Sequence, residues 1–192
     1  MTGTRSREER GRFDRWAASY DRSVSAAQRF PLLGYDEVLA RALRKAGATT
    51  GMSVLDLGTG TGNLAGLFLD AGCDVWAIDG ALAMLELARS KFPQLHVHRA
   101  DLRDPLSDGF PQRFDRIVSM YAFHHLKLEE KVEQGQRLVC DRLRATGPLV
   151  IGDVPSQRGP SATRPASAME TCGMLRSSTG RRMSSLAGCR GN

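Results

Sequence analysis

The sequence predicts an α/β fold, a Rossmann-like doubly wound parallel sheet. Three observations lead there. Short apolar runs alternate with segments of helical period from residue 13 to residue 153. A glycine-rich turn, DLGTGTGN at 56 to 63, joins the first apolar run to a helix. The 192 residues, 41% hydrophobic and 25% charged, suffice for one such domain but not comfortably for two.

The elements follow in order. Phe13, Trp16, Ala17 and Tyr20 share one helix face, as do Tyr35, Val38, Leu39, Ala42, Leu43 and Ala46, with Gly47 as a C-terminal stop. The run 53 to 57 reads as a buried strand, and Leu64, Leu67, Phe68 and Ala71 as a helix closed by Gly72. A strand at 74 to 78 precedes a helix on Met84, Leu85, Ala88 and Phe92 that Pro93 ends. Residues 95 to 99, 115 to 120 and 149 to 151 supply three more strands. Leu128, Val132, Val139 and Leu143 are expected on one buried helix face. Strands joined by helical crossovers pair in parallel, with both faces of the sheet covered.

Composition excludes several classes. No run of about 20 apolar residues is available for a membrane span. MTGTRSREERGRF carries no apolar core, so no secretory signal is read there and a cytoplasmic chain is expected. Four cysteines lack CxxC pairing and metal-ligand spacing, so no metal is expected. The net charge of +6 is concentrated at one end. Residues 1 to 154 hold 21 Lys+Arg against 20 Asp+Glu, whereas 155 to 192 hold six Arg and one Glu. The body therefore has no basic bias, and nucleic acid is not an expected partner.

The sharpest chemical signal is the glycine turn. Gly58, Gly60 and Gly62 let the backbone turn tightly and admit a ligand where a Cβ would clash. The helix after them aims free N–H groups at the same place. Gly60 to Ala65 also fits a dinucleotide fingerprint, with Asp79 at a suitable spacing for a ribose, so an NAD(P)-dependent oxidoreductase is an alternative. Asp56 points the other way. A carboxylate beside the turn repels a pyrophosphate and suits a cationic amino group. Asp79 could instead cap the following helix. Tyr121, His124 and His125 follow the fourth strand, where open α/β sheets bind ligands. They are candidates for catalysis, with proton acceptance by a histidine weighed against ordinary packing. Phe13 and Trp16 are expected to pack rather than to stack on a substrate.

These residues carry a family resemblance. VLDLGTGTGNLA (54 to 65) resembles the first motif of the class I S-adenosylmethionine-dependent methyltransferases. WAIDGALAML (76 to 85) is similar to the second-strand motif, and Ala100-Asp101 and FDRIVSMYAFHHL (114 to 126) to the third and fourth strands. FDRWAASYD (13 to 21) is similar to the leader helix of small-molecule members, and within the class the likeness is to uncharacterised bacterial methyltransferases of the YrrT type. The resemblance implies S-adenosylmethionine as cofactor and in-line methyl transfer to a small-molecule acceptor. It implies that Asp56, Gly58, Thr59, Gly60 and Gly62 hold the methionine half, with Tyr20 closing over it. Asp79 and Gly80 would meet the ribose, and Asp101 and Leu102 the adenine. Oligomeric state is not legible.

Three regions are expected: a helical leader or lid (1–50), a cofactor-binding Rossmann-like domain (51–154), and an atypical tail (155–192). The tail holds seven Ser, five Gly and three Pro but no Val, Ile or aromatic residue, so it is read as disordered. It departs from the helix and antiparallel strands that end family members, as a frameshift would, and those strands are expected to be lacking. A catalytically impaired cofactor-binding remnant is therefore a third reading.

Overall fold

The computed structural model describes residues 3–27, 29, 31–154 and 173–175. Two helices come first, α1 (Gly3–Ser25) and α2 (Tyr35–Ala46). Then β1 (Ser53–Leu57), α3 (Asn63–Asp70), β2 (Asp74–Asp79), α4 (Leu82–Lys91) and β3 (His96–Arg99) alternate. A helix-free segment leads to β4 (Arg116–Met120), followed by α5 (Leu128–Arg137), β5 (Leu149–Gly152) and β6 (Gly173–Leu175). The sheet order is β3-β2-β1-β4-β5-β6, and the five strands β1 to β5 are parallel. Consecutive strands step outward on one side of β1 and then on the other. The C-terminal ends of β1 and β4 therefore diverge into a crevice, the place where such sheets bind ligands.

Strand alternation divides the core. Val54, Val75, Ala77, Val118 and Val150 pack with Phe68, Leu39 and Ala42 under α2 and α3. Leu55, Leu57, Ile78, Ile117 and Leu149 pack on the other face with Phe114, Leu138 and Leu143. Arg116 fastens the first layer. Its guanidinium donates to Ala46 O at 2.6 Å and Gly47 O at 3.1 Å, neutralising the carbonyl end of α2. Gly47 ends that helix in the left-handed conformation (φ 56°), as the sequence leads one to expect.

Two expectations need correction. Leu128 and Val132 do not lie on the core face of α5, being 72% and 53% exposed. Leu143 is buried as expected, with Val139 packed beside it, but the other buried positions are Gln134 and Leu138. A π-helical turn at Leu138–Arg142 inserts a residue, so the apolar register runs by four and then by five, and a strict 3.6-residue period misplaces the face. The second correction concerns the antiparallel strands. Residues 155–172 and 176–192 of the tail lie outside the described residues, but Gly173–Leu175 pairs antiparallel with β5. The tail thus supplies one short antiparallel strand without Val, Ile or aromatic residues. An open β5 edge offers backbone N–H and C=O groups, and pairing needs only backbone in return.

Leu138→Ala is expected to lower stability by about 2–5 kcal/mol in urea unfolding followed by circular dichroism. Val132→Ala is expected to change it by less than about 0.5 kcal/mol. Equal losses would return the buried face to the simple helical period.

Candidate functional site

The glycine turn hangs from the tips of two strands. Gly58 and Thr59 both donate their backbone N–H to Ile78 O at 2.9 Å, and Gly60 donates to Asp79 Oδ2 at 2.9 Å. All three glycines have positive φ, but they differ in surroundings. A Cβ on Gly58 would lie 2.4 Å from Ala122 Cβ, so that glycine lets the turn press against the segment after β4. A Cβ on Gly60 would meet nothing within 4 Å. The space in front of Gly60 is open cleft. Gly62 is off the cleft, and its Cβ would approach Ala88 and Phe92 at 3.2–3.3 Å, so it serves the packing of α3 on α4.

The cleft holds about 950 Å³ of space, open mouth included. Gly58, Thr59, Gly60 and Gly80 line it, with Asp56, Asp79, Asp101 and Leu102. Tyr20, Tyr121 and His125 complete the expected residues found there. His124 stands outside, with Nδ1 2.7 Å from Asp153 Oδ1 and its ring 4.0 Å from that of His125. Sequence reasoning missed Tyr35 and Arg103 and gave Phe13 only a packing role, yet all three line the cleft. The signal for Tyr35 was its place as the first residue of a helix that arrives from outside the glycine motif.

Two carboxylates dominate the electrostatics. Asp56 is fully buried, and Thr59 Oγ1 donates to its Oδ2 at 2.8 Å. Burial pushes its carboxyl up to about 7, and the charge of Asp79 adds to the effect. Among the described residues no lysine or arginine forms an ion pair with it. Burial also raises Asp79, partly offset by N–H donors from Ala81 and Gly60. Asp79 does not cap α4 alone. Its Oδ1 accepts from Ala81 N–H at 2.8 Å, while Ala83 N–H donates to Asp14 of α1 at 3.0 Å. Asp101 Oδ1 accepts from Arg103 N–H at 3.0 Å and Nη1 at 2.9 Å, and the same guanidinium reaches Glu130 at 3.1 Å.

The cleft is closed on one side by α1. Asp21 accepts from Thr61 Oγ1, from Asn63 Nδ2 at 3.0 Å and from Lys91 Nζ at 2.9 Å, and these donors hold its carboxyl below its ordinary range against the opposing effect of burial. Phe13 meets the His125 ring edge-on at 5.4 Å. Burial pushes His125 down to about 4, helped by the neighbouring His124 and Arg12, so the ring is neutral at physiological pH. Tyr121 is the one non-glycine with positive φ (57°) among the described residues, and its ring stacks on Tyr35 at 5.6 Å.

A methyltransferase domain family matches residues 54–147. An uncharacterised methyltransferase of Bacillus cytotoxicus is 36% identical over 150 residues, covering 76% of this chain and 67% of the relative. The chain belongs to the YrrT-type class I methyltransferases. The uncharacterised methyltransferase YrrT of Bacillus subtilis is 40% identical over 125 residues, 62% of this chain and 55% of its own. Between a half and two thirds of the length of the first curated relatives is spanned. Among solved structures, an S-adenosylmethionine-dependent methyltransferase from Mesorhizobium loti has a TM-score of 0.50 at 26% identity, covering 67% of this chain and 54% of that one. S-adenosylmethionine is the cofactor that membership of this family assigns to the chain. No helix among the described residues is long and apolar enough to cross a membrane.

Gly58→Ala is expected to cost about 2–5 kcal/mol, combining left-handed strain with the Ala122 collision. Gly60→Ala carries only the strain, about 1–2 kcal/mol. Thermal unfolding of the two variants checks the order, and a Gly60 variant as damaged as the Gly58 variant would contradict an open cleft at that residue.

Proposed function

We propose that this chain binds S-adenosylmethionine in the cleft and transfers its methyl group in line to a small-molecule acceptor. The observation that carries the reading is Asp56. A fully buried carboxylate with no basic partner among the described residues, beside a glycine turn, is costly alone and well matched to an ammonium group. Gly60 leaves room where a side chain would block that approach. Asp56 would orient the amino group, and the backbone of Gly58 to Gly60 the methionine half. Each oxygen of Asp79 already accepts one backbone N–H and keeps a lone pair for a ribose hydroxyl. Leu102 and Asp101 would border the adenine, with Arg103 holding Asp101 in place.

Bound there, the cofactor supplies an activated methyl group on a sulfonium leaving group. The chain's own residues then have to align the acceptor and exclude water. Phe13 and Tyr20 on α1 cover the cleft, and Tyr121 and His125 border the acceptor side. His125, unprotonated at neutral pH, is suited to accept a hydrogen bond from the acceptor rather than to store its proton. His124, held by Asp153 outside the cleft, would act on the acceptor only through His125. A dinucleotide has less support. Its pyrophosphate would sit before Gly60 against Asp56 and Asp79, while Arg103 is tied to Asp101 and Glu130. A cytoplasmic location and the division into leader, cofactor domain and tail belong to the same proposal.

Isothermal titration of the folded chain with S-adenosylmethionine is expected to give one-site binding, weakened about 10- to 100-fold in Asp79→Ala. No heat with S-adenosylmethionine, together with heat from NAD, would sink the reading in favour of the oxidoreductase.

Asp56→Asn should separate binding from stability. The folded carboxyl keeps its proton up to about pH 7, whereas the unfolded chain gives it up near 3.8. Stability from this group is therefore lost as pH rises between those values. The Asn variant should melt higher than the parent at pH 8, with a smaller gain at pH 5, while losing cofactor affinity. A variant that melts lower than the parent at pH 8 would contradict the strained carboxylate.

A further inference from the structure

We propose that Arg103 is a positioning residue for the acceptor side, its guanidinium fork fixing the backbone turn that presents His125 to the cleft. The proposal rests on the methyl-transfer reading above, in which His125 borders the acceptor. The ring needs a support of this kind. It lines the cleft, yet among the described residues neither of its nitrogens makes a hydrogen bond. Its neighbours are rings, Phe13 at 5.4 Å and His124 at 4.0 Å. Nitrogens left open can meet an acceptor, so the backbone has to aim the ring.

That backbone is a single 3₁₀ turn, Phe123–His125. His125 N–H donates to Ala122 O at 3.2 Å, and Leu126 N–H to Phe123 O at 2.9 Å. Leu126 is extended, so the turn stops there and leaves the His125 carbonyl without a helical partner. Arg103 Nη2 donates to that carbonyl at 3.1 Å. Carboxylates clamp the other two arms, Nη1 on Asp101 Oδ1 at 2.9 Å and Nε on Glu130 Oε1 at 3.1 Å. Burial opposes the guanidinium charge, and these two carboxylates more than offset it. Arg103 O also accepts from Arg137 Nη1 at 3.1 Å, so residue 103 meets α5 at two positions about two turns apart. The turn after β3, the turn after β4 and α5 therefore share one cation.

Charge alone does not do this. A planar fork serves three acceptors in fixed directions, whereas an ammonium on a flexible stem cannot hold all three. Alignment matters for in-line transfer, where a displacement of about 1 Å can cost on the order of 100-fold in rate. Arg103 lines the cleft as well, but with its three arms committed it acts on the acceptor through His125.

NMR of the full chain with isotope-labelled histidine and phenylalanine tests the role. The chain has four histidines, and His125→Asn identifies the signal. In the parent, the His125 ring is expected to show a nuclear Overhauser contact with Phe13 and to titrate near 4. Arg12, His124, Asp153 and Arg103 all act on that titration, so Arg103→Lys keeps the charge and removes only the fork. This variant should lose the Phe13 contact and move the midpoint towards 6.5, the ordinary histidine value. Glu130→Ala, outside the cleft, should shift both readouts the same way by less. His96 and His98, on β3, should keep their parent titrations. Parent-like His125 signals in a folded Arg103→Lys sample would overturn the positioning role and leave the cofactor reading intact. If that variant fails to fold, Glu130→Ala decides on the same criterion. A parent ring without the Phe13 contact would overturn the proposal with no variant needed. Calorimetry of the parent with S-adenosylhomocysteine is read separately, and absence of binding there would sink the cofactor reading and the acceptor role of His125 together.

Discussion

The clasp between the tips of β1 and β2 is the constraint on which the site depends. Two consecutive N–H groups share the Ile78 carbonyl, and the third, from Gly60, is taken by the Asp79 side chain. That arrangement forces the turn through left-handed conformations that only glycine adopts at little cost. It also fixes everything around it. Asp56 is drawn under the turn and out of water, Gly60 is presented to the cleft, and Asp79 is positioned with one oxygen on the turn and the other on the start of α4. One carboxylate thus organises backbone from two loops while keeping acceptor capacity for a ligand.

The second constraint is how α1 is attached. Asp14 takes a free N–H at the start of α4, and Asp21 takes three donors from the glycine turn, α3 and the end of α4. These polar anchors lie on either side of the apolar contacts that Ala17 and Tyr20 make near Met84. The helix is therefore held against the cleft by side chains that also read the position of the turn. Tyr20 and Phe13 are placed by that docking rather than by their own backbone.

What the sequence made legible was mostly local. The glycine spacing, the acidic residue ending β2 and the alternating periods depend on neighbours a few residues away, and residues read from them, such as Asp56, Gly60 and Asp79, stand on the cleft. Tyr35, Arg103 and the cleft-facing side of Phe13 were hidden because their positions follow from how distant elements meet. Gly62 was indistinguishable from Gly60 by spacing, and only the closeness of Phe92 tells them apart. His124 and His125 were inseparable in sequence, and one turn of 3₁₀ helix puts only His125 into the cleft. The face of α5 was misplaced because an inserted residue in a π turn changes the period without a sequence signature.

The anchoring of α1 has a consequence for the order of folding. Its hydrogen bonds to Ala83 and Lys91 join residues 69 and 70 apart in the chain. Closing so long a loop costs entropy before any contact repays it, so these bonds depend on the strand–helix units between them already being in place. By the same logic they can be released first, without disturbing the pairing of β1 with β2 and β4. Partial opening of this kind belongs to the low-free-energy end of native fluctuations. A chain built this way can admit a ligand by giving up its last-formed contacts while the sheet stays intact.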